Sequence, residues 1–473
     1  MGQPAFKGTA AWRRQINSHE TFTHDSLDSL GYDWSRIADP EVQPRFPLKI
    51  YLPQTTDDVV RVVNEVKQLG EQLVIRSKGH SSNDLVLADR GTVLVTEKLV
   101  GSISLDEEAM TVTVQGGQIS ADADEWLAAR GYGLPVIGDH NHITVAGFAS
   151  VGGISAASHR HGLFVDNVVS LELVDWDGNA VVCSRTERSD LFHAVLLGLG
   201  RLGVITTITL RVIRIKKFDT LWANEQTHYR KFEDFLAATE PLMLAPPQDA
   251  QMMRALFADL LLHNGKRFGI GQLSQYRETD ENPYTRTMNT VAYGALHRIG
   301  WAAGRLPKDV DKAMKGAGFA SILFSPKYGT IKNVETFSDR VLDATVGEPT
   351  RYLVALPSAE RYAEFSRRAF DLLLDYRDRF KCMTFIALYV KGIKSAYLGH
   401  GDADALFCEC LFDIGINPKG MTDEVLDAMV EELDDLCVEL GVARYMHSRT
   451  TRDPEKRRLI DPNTYYAERL GLA

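Results

Sequence analysis

A glycine-rich hexapeptide, Gly198-Leu-Gly-Arg-Leu-Gly203, restricts the folds open to this chain. It matches the GxGxxG pattern of dinucleotide-binding folds, in which a strand precedes the glycines and a helix follows them. Here the order is reversed, because helical periodicity covers Ser189–Leu197 and a β-branched run covers Val204–Ile213. The sequence therefore predicts a helix-to-strand turn and argues against a Rossmann domain.

The composition is typical of a soluble protein of two to three domains, with 473 residues, 44% of them hydrophobic and 25% charged. The net charge of -10 argues against a basic surface that binds nucleic acid. We find no run of about 18 apolar residues and no apolar core of a signal peptide, so we expect a cytoplasmic protein without a membrane segment. The five cysteines have no CxxC spacing, which favours reduced thiols over a metal site.

The order of predicted elements indicates an α+β protein with two unlike halves. Up to residue 213, short strands alternate with short helices. Beyond it, long amphipathic helices alternate with apolar strands. The predicted elements of the first half are Thr55–Leu69, Leu73–Arg76, Thr92–Val95, Met110–Val114, Ala121–Arg130, Val168–Trp176, Ala180–Ser184, Ser189–Leu197 and Val204–Ile213. Those of the second half are Lys231–Leu242, Tyr352–Leu356, Ala359–Asp378, Thr384–Val390, Ala405–Ile414 and Asp423–Leu440.

A loop of small polar residues follows the strand Leu73–Arg76 and contains His80 directly after Gly79. Such a loop can turn successive N–H groups towards a phosphate, and it can hold an imidazole against a planar cofactor. Taken alone, a histidine in this setting is more often simply solvated. The remaining motifs favour the cofactor interpretation.

Several segments together resemble the vanillyl-alcohol-oxidase/PCMH superfamily of FAD-dependent oxidoreductases. Their order and spacing carry the resemblance, since each is weak by itself. They are Tyr51–Val60 with the His80 loop, His142–Gly147 with Gly152–Ile154, Arg160–Val168, Ser189–Phe192 followed by Gly198–Thr206, and Asp461-Pro-Asn463.

The resemblance implies a PCMH-type FAD-binding domain of two subdomains over residues 1–213. It further implies an α+β substrate-binding cap over 214–440 and a C-terminal segment, 441–473, that returns to the FAD domain. The FAD pyrophosphate needs N–H donors, and glycines allow the backbone to approach the cofactor. The implied FAD-binding residues are Arg76, Ser77, Lys78, Gly79, His80, Ser81, Ser82, Asp139, Thr144, Gly147, Gly152, Gly153, Ile154, Gly203 and Ile205.

In this superfamily, a histidine at the position of His80 often bonds covalently to the flavin 8-methyl carbon. The loop resembles the histidyl loop of sugar-lactone and polyol oxidases, so we expect FAD to be attached through His80. Relatives with two covalent links have a cysteine where this chain has His142, and no second link is expected.

The candidate catalytic residues are Asp139, His142, Arg444 and His447. The frame around Asp139 resembles cytokinin dehydrogenases, in which an aspartate takes the substrate proton. Desolvation in a flavin cavity would raise its pKa, although a turn-forming role after Gly138 is equally consistent with the local sequence. The tail around Arg444 and His447 resembles the segment that returns to the flavin in aldonolactone and decaprenylphosphoryl-ribose oxidases, where a cation would stabilise the reduced flavin.

The resemblance implies hydride transfer to flavin N5 from a CH–OH group of a polyol, sugar or related alcohol. The alternative is oxidation of a CH–NH group with Asp139 as base, and a third possibility is a flavin fold that only binds a ligand. Lys391 follows a predicted cap strand, where surface exposure is the commoner outcome. We also expect a small-molecule substrate and an electron acceptor that is O2 or another compound. A homodimer is the expected assembly.

Overall fold

The structure is a computed structural model that describes residues 30–33, 44–81, 84–261, 265–280, 327–336, 350–383, 385–395, 397, 403–413 and 420–472. The predicted FAD-binding residue Ser82 lies outside these residues. Among the helices of the described part, none is both long and apolar enough to cross a membrane.

The first unit is a small parallel sheet in which β3 lies between β1 and β2. The helix α1 begins after Thr55, whose hydroxyl accepts the Asp58 N–H while the Asp58 carboxylate accepts the Thr55 N–H, each at 3.1 Å. This capping box fixes the start of the helix. The elements are β1 Lys49–Tyr51, α1 Thr56–Leu69, β2 Leu73–Arg76 and β3 Thr92–Val95.

The second unit is a five-stranded antiparallel sheet with the order β4-β5-β9-β7-β8. Two short strands, β6 and β10, pair separately. The apolar face of α1 packs against β9 through Val204 and against β3 through Leu94, so it joins the first two units. The elements are β4 Ser104–Asp106, β5 Thr111–Gln115, α2 Ser120–Ala128, β6 Tyr132–Gly133, α3 Val145–Val151, α4 Ser158–His161, β7 Val168–Asp175, β8 Ala180–Ser184, α5 Ser189–Val195, β9 Gly203–Arg211 and β10 Ile213–Arg214.

The third unit is a large antiparallel sheet of eight strands, in the order β14-β11-β13-β12-β16-β17-β15-β18. Its elements are β11 Leu221–Tyr229, α6 Phe232–Leu244, β12 Met252–Leu261, β13 Arg267–Thr279, β14 Tyr328–Thr330, α7 Ile331–Glu335, β15 Thr350–Leu356, α8 Tyr362–Phe380, β16 Phe385–Ser395, β17 Ala403–Asp413, α9 Asp423–Leu440, β18 Ala443–Arg444, α10 Pro454–Ile460 and α11 Thr464–Arg469.

The two faces of the large sheet have different partners because side chains alternate along each strand. One face packs on α6, α8 and α9 through residues such as Phe257 and Leu388. The opposite face includes Arg254 on β12 and Lys391 on β16, both largely buried. A hydrogen bond of 2.8 Å from Met253 N–H to the Ala156 carbonyl docks β12 onto the N-terminal region. The second face therefore lies over the loops of the first two units.

The C-terminal tail is fastened to α5 by buried polar contacts. The Asn463 amide donates to the carbonyls of Ala194 and Leu196 at 3.2 and 2.8 Å. The Tyr397 hydroxyl donates to the same Leu196 carbonyl at 2.6 Å. Arg201, inside the glycine-rich hexapeptide, donates to Asn463 Oδ1 at 3.1 Å. The Asp-Pro-Asn segment thus holds the tail against the turn that the hexapeptide forms.

Local predictions from the sequence agree closely with the structure. Four elements have the predicted bounds, namely Leu73–Arg76, Thr92–Val95, Ala180–Ser184 and Asp423–Leu440. The hexapeptide connects α5 to β9, which confirms the reversed context of its glycines. The three-part domain division stays a prediction, and β18 at the start of the tail pairs with β15 of the large sheet.

Candidate functional site

The loop after β2 is shaped by Gly79 and by a buried arginine beneath it. Gly79 has φ +72°, and a Cβ at this position would lie 2.3 Å from Arg76 Nη2. The positive φ favours glycine at this position, and the guanidinium lies directly beneath the loop. Arg76 is 4% exposed, and burial lowers its pKa to about 10. The guanidinium remains charged at neutral pH and places a cation directly under the loop.

The loop presents hydrogen-bond donors that the described part of the protein does not use. The main-chain N–H groups of Lys78, Gly79 and Ser81 donate to no main-chain carbonyl of the described residues. The buried Ser81 hydroxyl likewise has no hydrogen-bond partner among them. Buried polar groups normally have partners, so the Ser81 hydroxyl is a candidate for contact with a polar ligand.

The side chains of two predicted loop residues have protein partners. The Ser77 hydroxyl hydrogen-bonds the Thr96 hydroxyl at 2.8 Å. The Lys78 ammonium forms a 3.2 Å ion pair with Glu97 and is about a third exposed. These contacts leave the main chain of the loop, rather than the Lys78 side chain, as the better candidate for phosphate binding.

The start of α3 forms the wall opposite this loop. Thr144 caps the helix, and its hydroxyl accepts the Gly147 N–H at 3.1 Å. A Cβ on Gly147 would lie 3.4 Å from the Ser77 hydroxyl. The start of α3 and the loop are therefore in close contact at this point.

Two further glycines turn the chain at the end of α3. Gly152 and Gly153 have φ of +109° and +71°, which L side chains rarely adopt. The Gly153 N–H donates to the Tyr445 hydroxyl at 2.9 Å, so this turn contacts the C-terminal tail. Ile154 follows in the hydrophobic core at 5% exposure. These contacts give the turn a structural role whether or not a cofactor touches it.

Gly203 is required where β9 begins. Its φ is +142°, and a Cβ would lie 2.2 Å from the Val174 carbonyl oxygen. Gly116 approaches the same strand so closely that a Cβ there would lie 2.3 Å from the Ile205 carbonyl oxygen. Close backbone packing explains both glycines, and adenine binding along Gly203–Ile205 stays a prediction.

His80 is held at the meeting point of three parts of the chain. Its ring lies edge-on to that of His140, with centroids 5.3 Å apart. The Tyr352 hydroxyl on β15 donates to the His80 carbonyl at 3.2 Å. Burial, followed by repulsion from His140, holds the pKa of His80 well below its usual range. The imidazole is therefore neutral at physiological pH.

Asp139 is paired with a cation from the large sheet. Lys391 Nζ donates to Asp139 Oδ2 at 2.6 Å, and the lysine side chain is only 3% exposed. Burial alone would raise the pKa of Asp139, but Lys391 and then Arg254 outweigh it, and the pKa is lowered. The predicted rise in the pKa of Asp139 is therefore wrong. The expectation of a surface-exposed Lys391 is also wrong, because cap-sheet packing encloses it.

Arg444 has a structural setting. It is fully buried, forms an ion pair with Asp434, and donates to the carbonyls of Val354 and Arg449 at 2.7 and 2.8 Å. Its guanidinium is committed to holding the tail on the large sheet. The role on the flavin that the sequence predicts for Arg444 stays a prediction.

The two remaining catalytic candidates differ in their surroundings. His447 stacks on Tyr352 with ring centroids 5.1 Å apart, and burial lowers its pKa to about 3. It cannot supply a positive charge near neutral pH, which corrects the cationic role predicted for it, but a neutral ring can still hydrogen-bond. His142 is exposed, and its catalytic role stays a prediction.

A small cavity lies where the large sheet meets the Asp139 loop. Arg254 and Glu335 line it together with Asp139, and sequence reasoning missed both. Arg254 could have been recognised as a candidate from the sequence, because it interrupts the apolar run Met252–Leu261. Glu335 had no local signal, because long-range folding brings α7 to the cavity. The full lining is Pro135, Ile137, Gly138, Asp139, Ser155, Ala157, Met252, Arg254, Val334 and Glu335.

Comparison with known proteins agrees with this geometry. Residues 47–184 match the family described as FAD binding domain. The chain is 26% identical to cytokinin dehydrogenase 1 of Oryza sativa subsp. japonica over 352 residues, which cover 69% of this chain and 65% of the relative. It is 30% identical to D-arabinono-1,4-lactone oxidase of Eremothecium gossypii over 200 residues, 40% of this chain and 37% of the relative. The matches thus span less than two thirds of these relatives.

A solved structure extends the similarity to nearly the whole chain. The crystal structure of 6-hydroxy-D-nicotine oxidase from Arthrobacter nicotinovorans superposes with a TM-score of 0.64 at 17% identity. The match covers 94% of this chain and 91% of that one, and it shows a common fold. The predicted α+β, PCMH-type fold is confirmed. The predicted resemblance to the vanillyl-alcohol-oxidase/PCMH superfamily is confirmed too.

The residues present fit FAD. The pyrophosphate needs donors and positive charge when it leaves water. The loop Ser77–Ser81 offers unused main-chain donors and the Ser81 hydroxyl, and Arg76 lies beneath it. Binding of the pyrophosphate by this loop stays a prediction.

Proposed function

We propose that the protein is an FAD-dependent oxidoreductase that oxidises a CH–OH group of a polyol, sugar or related alcohol to a carbonyl. The observation that carries the proposal is the Asp139 carboxylate, paired with Lys391 in a cavity between the FAD-binding domain and the large sheet. Bound FAD supplies the acceptor for the hydride that leaves the substrate carbon. The protein must then orient the alcohol and accept its hydroxyl proton.

Asp139 is the proposed acceptor of that proton. Its lowered pKa keeps the carboxyl ionised at neutral pH, so an oxygen is available to accept a hydrogen bond from a substrate hydroxyl. Lys391 orients the carboxylate through the 2.6 Å contact. A carboxylate of low pKa is a weak base, and it becomes effective as hydride loss acidifies the hydroxyl.

We further propose that His80 is the covalent attachment point of the flavin. The neutral imidazole has a lone pair available for bond formation, since burial keeps its pKa well below the usual range. The contact from the Tyr352 hydroxyl to the His80 carbonyl fixes the backbone of the residue. Attachment would prevent loss of the cofactor.

The relatives support two substrate classes. The lactone oxidase of Eremothecium gossypii and the L-gulonolactone oxidase of Mus musculus, 30% identical over 167 residues, favour a sugar-related CH–OH substrate. Cytokinin dehydrogenase 1 matches a longer part of this chain and favours the alternative, oxidation of a CH–NH group with Asp139 as base. We prefer CH–OH because the His80 loop resembles that of the sugar and polyol oxidases.

An anaerobic screen of alditols, aldoses, aldonolactones, hydroxy acids and secondary amines tests the proposal. The flavin of the purified holoprotein should bleach with at least one alcohol and with none of the amines. Bleaching by amines alone would establish the alternative. Absence of bleaching by every compound, with dithionite still reducing the flavin, would indicate a ligand-binding protein without turnover.

A further inference from the structure

Arg254 is a buried cation on the face of the large sheet that covers the cavity. It lies in the apolar strand β12, is 7% exposed and lines the cavity together with Asp139. Placing a guanidinium in such a strand is expensive in desolvation energy. A functional need for a positive charge at this position would explain why the strand carries an arginine despite this cost.

The orientation of Arg254 is set by neighbouring strands. Its Nη2 donates to the Tyr276 hydroxyl on β13 at 2.8 Å. Asn224 on β11 donates to the same hydroxyl at 3.1 Å. Tyr276 is 1% exposed, so the residue that orients the guanidinium is itself immobilised by packing.

The docking of β12 onto the N-terminal region brings Arg254 over the cavity. The Met253 N–H donates to the Ala156 carbonyl at 2.8 Å. The residues on either side of Ala156, Ser155 and Ala157, line the same cavity as Arg254. Arg254 and Asp139 therefore line one cavity.

Arg254 acts on the carboxylate of Asp139, and the carboxyl of Glu335 lines the same cavity. Lys391 and Arg254 together keep the Asp139 carboxyl ionised in spite of its burial. A substrate carboxylate bound beside Arg254 would experience the same attraction. Arginine also presents a planar fork that matches the two oxygens of a carboxylate, which a neutral polyol would not exploit.

We propose that Arg254 binds a carboxylate of the substrate, and that the substrate class is therefore a hydroxy acid. The inference rests on the proposed function and narrows it. The hydroxyl-bearing carbon loses a hydride to FAD and the hydroxyl loses its proton to Asp139. A hydroxy acid thus becomes an oxo acid while its carboxylate stays bound and unchanged.

Matched probes in the FAD-loaded full-length protein test the inference. Lactate and lactamide differ in the carboxylate and share the hydroxyl, and their binding is measured by perturbation of the flavin absorbance and of protein fluorescence. We expect lactate to bind about 10- to 100-fold more tightly than lactamide, as for a hydrogen-bonded charge pair. Equal binding of the two probes, or binding of neither, overturns the inference.

Two arginine variants and one control complete the test. Arg254→Met should abolish the preference for lactate. Arg254→Lys, measured alongside in case the methionine variant does not fold, should reduce it, because an ammonium lacks the fork. Arg277→Met, at a partly exposed arginine paired with Glu225, should leave it intact. An unchanged preference in the Arg254 variants overturns the inference.

The two proposals fail in different ways. If neutral alcohols bleach the flavin and carboxylates give no advantage, the hydroxy-acid class is wrong and the proposed oxidation stands. If lactate binds through Arg254 and no alcohol of either kind bleaches the flavin, the carboxylate site stands and the proposed oxidation is wrong.

Discussion

Lys391 Nζ and Asp139 Oδ2 lie 2.6 Å apart, and the two residues are separated by 252 positions in the chain. The lysine comes from β16 of the large sheet and the aspartate from a loop of the FAD-binding domain. The contact therefore joins the two halves at the cavity. It also sets the charge state of the residue that we propose as proton acceptor.

Lys391→Met should raise the pKa of Asp139, because burial then acts with less opposition. In the native protein, ionised Asp139 stabilises the fold above the ordinary pKa of 3.8, and this contribution is lost as pH falls through the lowered pKa. We expect the acid limb of the kcat/KM profile to move to higher pH. The exposed Lys394→Met on the same strand serves as control, and coincident profiles for both variants would contradict the assignment.

Asp139→Asn should slow substrate-dependent flavin reduction by about 10²- to 10⁴-fold, the range typical of a lost general base. The amide keeps the shape of the side chain and cannot accept the hydroxyl proton. Single-turnover reduction under anaerobic conditions measures the chemical step. Near-normal reduction would remove Asp139 from the proposed role, whereas reduction by dithionite should be unaffected.

His80→Ala should release the flavin. After acid precipitation, wild-type protein should retain its yellow colour in the pellet, and the variant should lose FAD to the supernatant. His142→Ala, at an exposed histidine, is the matched control and should retain the flavin. Free FAD in the supernatant of wild-type protein would falsify covalent attachment and leave the fold assignment untouched.

Glu335→Gln should change how stability depends on pH. Burial raises the pKa of Glu335 to about 7 against the attraction of Lys217, from an ordinary value of 4.5. Because the pKa is raised on folding, protonated Glu335 contributes to stability. This contribution is fully present below pH 4.5 and is lost as pH rises through about 7. Glutamine does not titrate, so wild type should lose stability relative to the variant between about pH 5 and pH 8.

Urea unfolding at about pH 5 and about pH 8 measures the difference in stability between wild type and Glu335→Gln. The exposed Glu364→Gln should show no such trend relative to wild type, since its side chain is 50% exposed. A parallel pH dependence in wild type and Glu335→Gln would show that Glu335 titrates as an ordinary carboxyl.

Asn463→Ala should destabilise the protein by about 1–3 kcal/mol, the effect of leaving buried polar groups unpaired. The amide bonds two carbonyls at the end of α5 and is 2% exposed. Denaturant unfolding measures the loss. Asn179→Ala, at an exposed hairpin residue, should change stability by less than about 0.5 kcal/mol. Equal effects of the two substitutions would contradict the fastening role.

Local structure was predictable because neighbouring residues decide it. The capping box at Thr55 and Asp58 fixes a helix start within four residues. The helix before Gly198 and the strand after Gly203 follow from periodicity alone. The position of Gly79 could be read as a loop, although its reason, the guanidinium of Arg76 beneath it, required coordinates.

The sequence by itself determined many of the elements and indicated the His80 loop and Asp139 as candidates. Tertiary structure alone decided which distant charges meet. It committed Arg444 to Asp434, moved Lys391 from an expected surface position onto Asp139, and reversed the expected pKa shift of that aspartate. The physical reason is that hydrogen-bonding propensity acts between neighbours in the chain, whereas burial and Coulomb attraction depend on distances that only folding sets.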